Sequence, residues 1–181
     1  MYIGIASALL GLVSLTDSLL MFDRVESENA CLLAMCDADS GCVPKGCSID
    51  QFDRIGCGYF RLNIYQFRQC YQPGKKEDED EDIAWINCAE DYECSAQCIR
   101  TLGSRFRVKC YGKSDCETLA RIHDGGANGC RERLEKKYVR TIVIIPNESL
   151  MFGDFRNTAF YWKRVRNICE GNCNKPIFVR H

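Results

Sequence analysis

At 181 residues the chain is long enough for one domain with a real core and too short to hold a second comfortably. Fourteen cysteines against two histidines, with no C-x-x-C pair and nothing closer than the C-x3-C spacing of Cys94/Cys98 and Cys169/Cys173, point away from zinc sites and from a reducing cytosol, and towards disulfides. The net charge of −1 hides an uneven distribution: residues 1–30 carry four acids and one arginine, six acids run from Glu77 to Asp82, and the remainder carries +8. A basic body of this kind suits an anionic polymer such as a bacterial wall, whereas no aromatic-basic motif argues for nucleic acid.

In chain order, Ile3 to Leu15 is an apolar run broken by Asp17, the first charged side chain. That is shorter than the roughly 20 residues of a membrane span and matches the apolar stretch of a signal peptide. Residues 1–20 are therefore expected to be a signal peptide of a secreted, extracellular protein, with an uncleaved anchor as the alternative and no stable membrane insertion once the signal is removed. Residues 21–181 form a single domain. Ser27 to Ala30 lead into the helix-like run CLLAMC with Ser27 as its cap, and Asp39-Ser40-Gly41 ends it. From Val43 to Leu62, short β-type pieces between turn residues predict a small irregular hairpin region, followed by a short helix over Asn63 to Cys70.

The stretch from Gln72 to Asp82 repels itself and is expected to be a solvated loop. Ala89 to Leu102 has helical spacing of Ala96, Ile99 and Leu102, and Ser114-Asp115-Cys116-Glu117 is a capping box that opens a helix through Ile122, with Gly125-Gly126 as its stop. Arg131 to Arg140 is charged and helix-like, Thr141 to Pro146 is strand-like, and Asn147-Glu148-Ser149 is a glycosylation sequon. Phe160 to Ile168 reads as an amphipathic helix with its basic residues outward. A membrane-disrupting role for this short helix is conceivable from its charge, but one helix tied by Cys169 is thin support. The predicted class is α+β, mostly helical with a small β region and rich in disulfides.

Several segments, in this order and with these cysteines, resemble the invertebrate-type lysozyme (destabilase) family: CLLAMCDADSGC from Cys31 to Cys42, GCSID from Gly46 to Asp50, and CGYFRL from Cys57 to Leu62. They continue as the cysteine-bearing helix from Cys88 to Cys98, ARIHDGGANGC from Ala120 to Cys130, and YWKRVRNIC from Tyr161 to Cys169. Segments near 75–84 and 131–156 have no counterpart and read as insertions. The resemblance implies a lysozyme-like fold and hydrolysis of the β-1,4 links of bacterial peptidoglycan, without cofactor or metal, in antimicrobial (bacteriolytic) defence or in digestion. It places a catalytic acid, in the family's E-S-G-C motif, at Asp39, and a second carboxylate at Asp50. It also implies local bridges Cys36–Cys42, Cys47–Cys57 and Cys88–Cys94. The family's first helix has a middle cysteine where Ala34 stands, and Cys173 is extra; if that cysteine normally reaches the C-terminal one, Cys169 is left to pair with Cys173. A second, isopeptidase activity attributed to a Ser and a Lys flanking C-G-Y-F is not expected, because Gly56 and Asn63 occupy those places.

Glycosidic cleavage needs one carboxyl that gives a proton to the leaving oxygen and one that stays ionised as nucleophile or base. Asp39 takes the first role and Asp50 the second. Asp39 would need apolar neighbours, such as Leu33 and Met35, to hold its proton. Its carboxyl also sits one methylene, roughly 1.5 Å, short of a glutamate's, and a misplacement of about 1 Å can cost about 10²-fold. Weakened activity is one outcome; a cleft that binds peptidoglycan or glycan without cutting is the alternative. From residues alone, Asp39 could merely end a helix and Asp50 could merely fill a turn. His123 and Tyr59 could touch sugar or pack in the core, and Trp85 and Trp162 are expected in the core rather than as sugar platforms.

Overall fold

The computed structural model describes residues 25–50, 53–131, 158–171 and 173. Residues 25–40 are helical (α1), and the burial along them shows why: Cys31, Leu32, Met35 and Cys36 share one face and are fully buried, while Leu33 and Asp37 face solvent. Ser27 is not the cap of this helix, because the chain is already helical at Val25; Ser27 is buried inside it. Gly41, with φ of 73°, stops α1, and the Cys36–Cys42 disulfide closes the same turn.

The hairpin region is a two-stranded antiparallel sheet of β1 (Cys47–Ile49) and β2 (Ile55–Cys57), paired Cys47 to Cys57, Ser48 to Gly56 and Ile49 to Ile55. The Cys47–Cys57 disulfide spans its first pair. After β2 the chain turns back at once, Cys57 and Leu62 exchanging backbone bonds of 3.0 and 2.9 Å. Gly58 makes that turn possible: its φ is 66°, and a Cβ there would sit 1.8 Å from the Ala89 carbonyl oxygen.

Asn63 and Gln66 form a reciprocal capping box that opens α2 (Ile64–Gln69). The acidic tract is not wholly a solvated loop. Asp80 caps α3 (Glu81–Glu90) by accepting from the backbone N–H of Asp82 and Ile83, and Glu81 pairs with Arg68 and Gln72. Acids at a helix N-terminus meet the positive end of its dipole, so part of the run is spent on starting a helix. Asp91 then separates α3 from α4 (Tyr92–Phe106), where the sequence had suggested one helix from Ala89. A 3₁₀ turn (Arg107–Cys110) leads to α5 (Asp115–Gly125), whose cap Ser114 accepts from the Glu117 N–H at 3.2 Å. A second 3₁₀ turn covers Gly126–Asn128, and α6 spans Thr158–Cys169. The signal segment, the helix-like and strand-like pieces beyond residue 131, the Asn147 sequon and nearly all of the 131–156 insertion lie outside the described residues.

α5 packs against both α4 and α6. One core cluster joins Leu32 and Met35 of α1 to Phe60, Ile99, Leu119, Trp162 and Val165; a second gathers Leu62, Phe67, Trp85, Leu102 and Ile122. Both tryptophans are therefore core residues, and Trp85 Nε1 donates to the Leu62 carbonyl at 2.9 Å. All fourteen cysteines are paired: beside Cys36–Cys42 and Cys47–Cys57 there are Cys31–Cys116, Cys70–Cys98, Cys88–Cys94, Cys110–Cys130 and Cys169–Cys173. The Cys31, Cys116 and Cys173 sulfurs lie together, but each is already in a disulfide and is no metal ligand. The architecture is mostly helical with one small sheet and is disulfide-rich. Among the described residues no helix is long and apolar enough to cross a membrane.

Candidate active site

The last turn of α1 carries Asp39 to an open groove. Ser40 fixes that turn. Its buried hydroxyl donates to the Tyr59 carbonyl at 2.7 Å and accepts from the Val43 N–H at 3.3 Å, which ties the helix end to the segment after β2. Asp50 follows directly on β1 and lines the same groove, with Arg54, Arg61, Asn63, Gln66, His123, Asp124 and Tyr161 among the other walls. The two acids that the family motif singles out are thus brought to one concavity.

Their surroundings differ. Of the apolar neighbours the sequence offers Asp39, Leu33 is 54% exposed, while Met35, one helical turn before it, is buried in the core. Two donors meet one carboxyl oxygen, Oδ2, from His123 Nε2 at 3.0 Å and from the Tyr161 hydroxyl at 2.9 Å. Asp50 accepts from Arg54 twice, Oδ1 from the backbone N–H at 3.1 Å and Oδ2 from Nη2 at 2.8 Å. This is the behaviour of a turn-forming aspartate, and at the same time it sets a guanidinium beside the carboxylate.

His123 lies near the end of α5 and is only 8% exposed. Gln66 Nε2 donates to its carbonyl at 2.7 Å and lies 3.3 Å from Nδ1. The Gln66 amide is itself oriented by the Asn63 N–H, which donates to Oε1 at 2.9 Å. Burial pushes the His123 imidazole down, but the charge and hydrogen bond of Asp39, with help from Asp124 and a backbone bond to Phe60, outweigh it, and the net shift is upward. Burial, reinforced by the charge and hydrogen bond of Asp39, holds the Tyr161 phenol well above its usual range, so it remains a donor across ordinary pH.

Tyr59 lies elsewhere. It packs edge-on against Tyr92 at 5.7 Å beside the first core cluster and is not among the groove's lining residues. Tyr161, Arg54 and Gln66 were not singled out from the sequence. The signal for Tyr161 was present, since it shares a helical face with the buried Thr158, Trp162 and Val165, and a phenol on an inward face needs a hydrogen-bond partner. The same burial of Trp162 and Val165 commits the inner face of α6 to the core rather than to a membrane. Gly56 and Asn63, where the isopeptidase pattern asks for Ser and Lys, both line the groove, and a Cβ at position 56 would meet the Arg61 carbonyl oxygen at 2.4 Å.

The destabilase family model matches residues 28–144. Invertebrate-type lysozyme 2 of Caenorhabditis elegans is 39% identical over 141 residues, covering 77% of this chain and 84% of the relative. The lysozyme of Magallana gigas is 32% identical over 130 residues, covering 72% and 88%. Among solved structures, the Tapes japonica lysozyme superposes with a TM-score of 0.56 at 30% identity, covering 78% of this chain and 92% of that one. An inhibitor-bound lysozyme from Meretrix lusoria gives 0.55 at 26% identity, covering 80% and 90%. With the disulfide-rich helical architecture and two carboxylates on one groove, these matches settle the kinship: the chain belongs to the destabilase family of invertebrate-type lysozymes.

Proposed function

We propose that this protein is a secreted lysozyme that hydrolyses the β-1,4 glycosidic bonds of bacterial peptidoglycan, with Asp39 as proton donor and Asp50 as the ionised partner. The observation that carries this reading is the convergence of both carboxyls on one open groove from separate elements, the end of α1 and the end of β1. In the reaction the C–O bond to the leaving sugar breaks as Asp39 transfers its proton to the leaving oxygen. Asp50 then bonds to the sugar carbon as nucleophile, and water later displaces it while returning a proton to Asp39. Arg54 supplies the counter-charge that holds Asp50 in place. His123 lines the groove with its ring nitrogens turned to Asp39 and Gln66, whereas Tyr59 packs against Tyr92. The complete pairing of cysteines and the apolar run near the N-terminus support export.

Clearing of a bacterial wall suspension is the direct test. The wild type lowers turbidity, and Asp39→Ala and Asp50→Ala each reduce the rate by about 10³-fold or more, within the range removal of a catalytic group commonly costs. No clearing by the wild type at any pH or salt rejects the reading. A second reading, glycan binding without cleavage, draws on two observations: the acid position holds the shorter Asp39, and both Asp50 oxygens are engaged by Arg54. Saturable binding to insoluble peptidoglycan with no sugar released selects it.

A further inference from the structure

We propose that His123 and Tyr161 are positioning residues that clamp Asp39 by one oxygen, Oδ2, and thereby present the other, Oδ1, as the proton-donating oxygen of the groove. This rests on the hydrolase reading above. Both donors meet Oδ2, at 3.0 Å from His123 Nε2 and 2.9 Å from the Tyr161 hydroxyl, and among the described residues no donor meets Oδ1. The two jaws of the clamp come from different helices, α5 and α6, and each is held in turn. His123 is fixed by Gln66, whose amide is locked in the capping box of α2. α6 is held at its first residue, where Thr158 donates to the Gly129 carbonyl at 2.6 Å and accepts from Arg121 at 3.1 Å. The rings of His123 and Tyr161 lie 5.8 Å apart, so the pair closes on the carboxyl from adjoining sides.

The clamp answers the difficulty of a short acid. A glutamate would reach the bond on its own length; an aspartate must be aimed from a fixed root. As the proton leaves Oδ1 for the sugar oxygen, the electron pair of the C–O bond goes with the leaving group and negative charge develops on the Asp39 carboxylate. The His123 N–H and Tyr161 O–H already point at that carboxylate, so they stabilise the charge as it forms, without reorganisation. The proton returned from water restores Oδ1–H. The titratable and charged groups around this point are Asp39 from α1, His123 and Asp124 from α5, and Tyr161 and Arg164 from α6, with Asp50, Arg54 and Arg61 across the groove.

Both donors already point at the carboxyl where charge develops, so removing one weakens transition-state stabilisation rather than substrate binding. In Tyr161→Phe, which loses only the hydroxyl, kcat on peptidoglycan falls by about ten- to a hundredfold, the usual worth of a hydrogen bond to a charged group. KM changes little. His123→Gln, which keeps a neutral donor, retains part of the kcat that His123→Ala loses. Imidazole NMR of the folded full-length chain supplies a readout independent of activity: the titration of His123 drops to lower pH in Asp39→Asn. A loss confined to KM in Tyr161→Phe, or a His123→Gln enzyme no more active than His123→Ala, overturns the positioning role. An unchanged His123 titration in Asp39→Asn overturns the clamp itself. A wild type that releases no sugar overturns instead the hydrolase reading on which the proton-donor role stands.

Discussion

At the scale of single residues, Asp39 faces a buried imidazole, and this links folding to pH. Burial alone would push the proton off His123, yet the neighbouring carboxylate holds it on, so the folded state binds that proton more tightly than the unfolded chain does. The stabilisation is complete below the ordinary histidine value of about 6.5 and fades as pH rises through the raised folded value. Thermal melts across this range are predicted to show Tm falling with rising pH, and Asp39→Asn is predicted to flatten that slope. A wild type whose Tm is level through the window contradicts the linkage. The acid's partners were only half legible in the sequence. His123 stood out by its rarity and its motif, but that it faces Asp39 rather than sugar alone depends on packing between α1 and α5. Tyr161, 122 positions further along the chain than Asp39, could be placed only once α6 was docked.

At the scale of elements, what the sequence revealed best was local. The hairpin, the short helix α2 opening at Asn63, the Ser114 cap of α5 and the inner face of α6 all follow from spacing and turn chemistry within a few residues. α3 was hidden because its first turn lies in the acidic tract; a run of like charges reads as repulsion, yet a helix N-terminus and Arg68 take up part of it. The disulfides divide the elements unequally. Cys31–Cys116 ties α1 to α5 across 85 positions, whereas Cys169–Cys173 closes only 4. Ala34, where the resemblance had led to a cysteine, is simply packed in the core, and no disulfide among the described residues joins α6 to another helix. Chain entropy in the unfolded state then predicts that Cys31→Ala/Cys116→Ala costs about 4 to 5 kcal/mol and Cys169→Ala/Cys173→Ala about 2 kcal/mol. Denaturant unfolding of the two double variants measures the difference, and equal losses would show that α6 depends on its local bridge more than its packing suggests.

At the scale of the whole molecule, the groove exists because the segments bearing its two acids meet. α1 ends against the turn after β2 through Ser40, and the hairpin sets Asp50 on the same concavity, with α5 and α6 completing the wall. Outside residues 1–30 and the acidic tract the chain carries +8, a balance suited to an anionic wall polymer. The class and the pairing of the cysteines into disulfides could be drawn from composition, cysteines and motif order. The clamp on Asp39 and the hold of Arg54 on Asp50 could not, because both are made by tertiary closure. The decisive measurement is the appearance of new reducing ends from purified, insoluble peptidoglycan, followed in parallel for the wild type, Asp39→Asn and Asp50→Asn. The account predicts steady release by the wild type and near-complete loss in both variants while each stays bound to the wall. Release that survives in either variant, or binding by the wild type with no reducing ends formed, contradicts it.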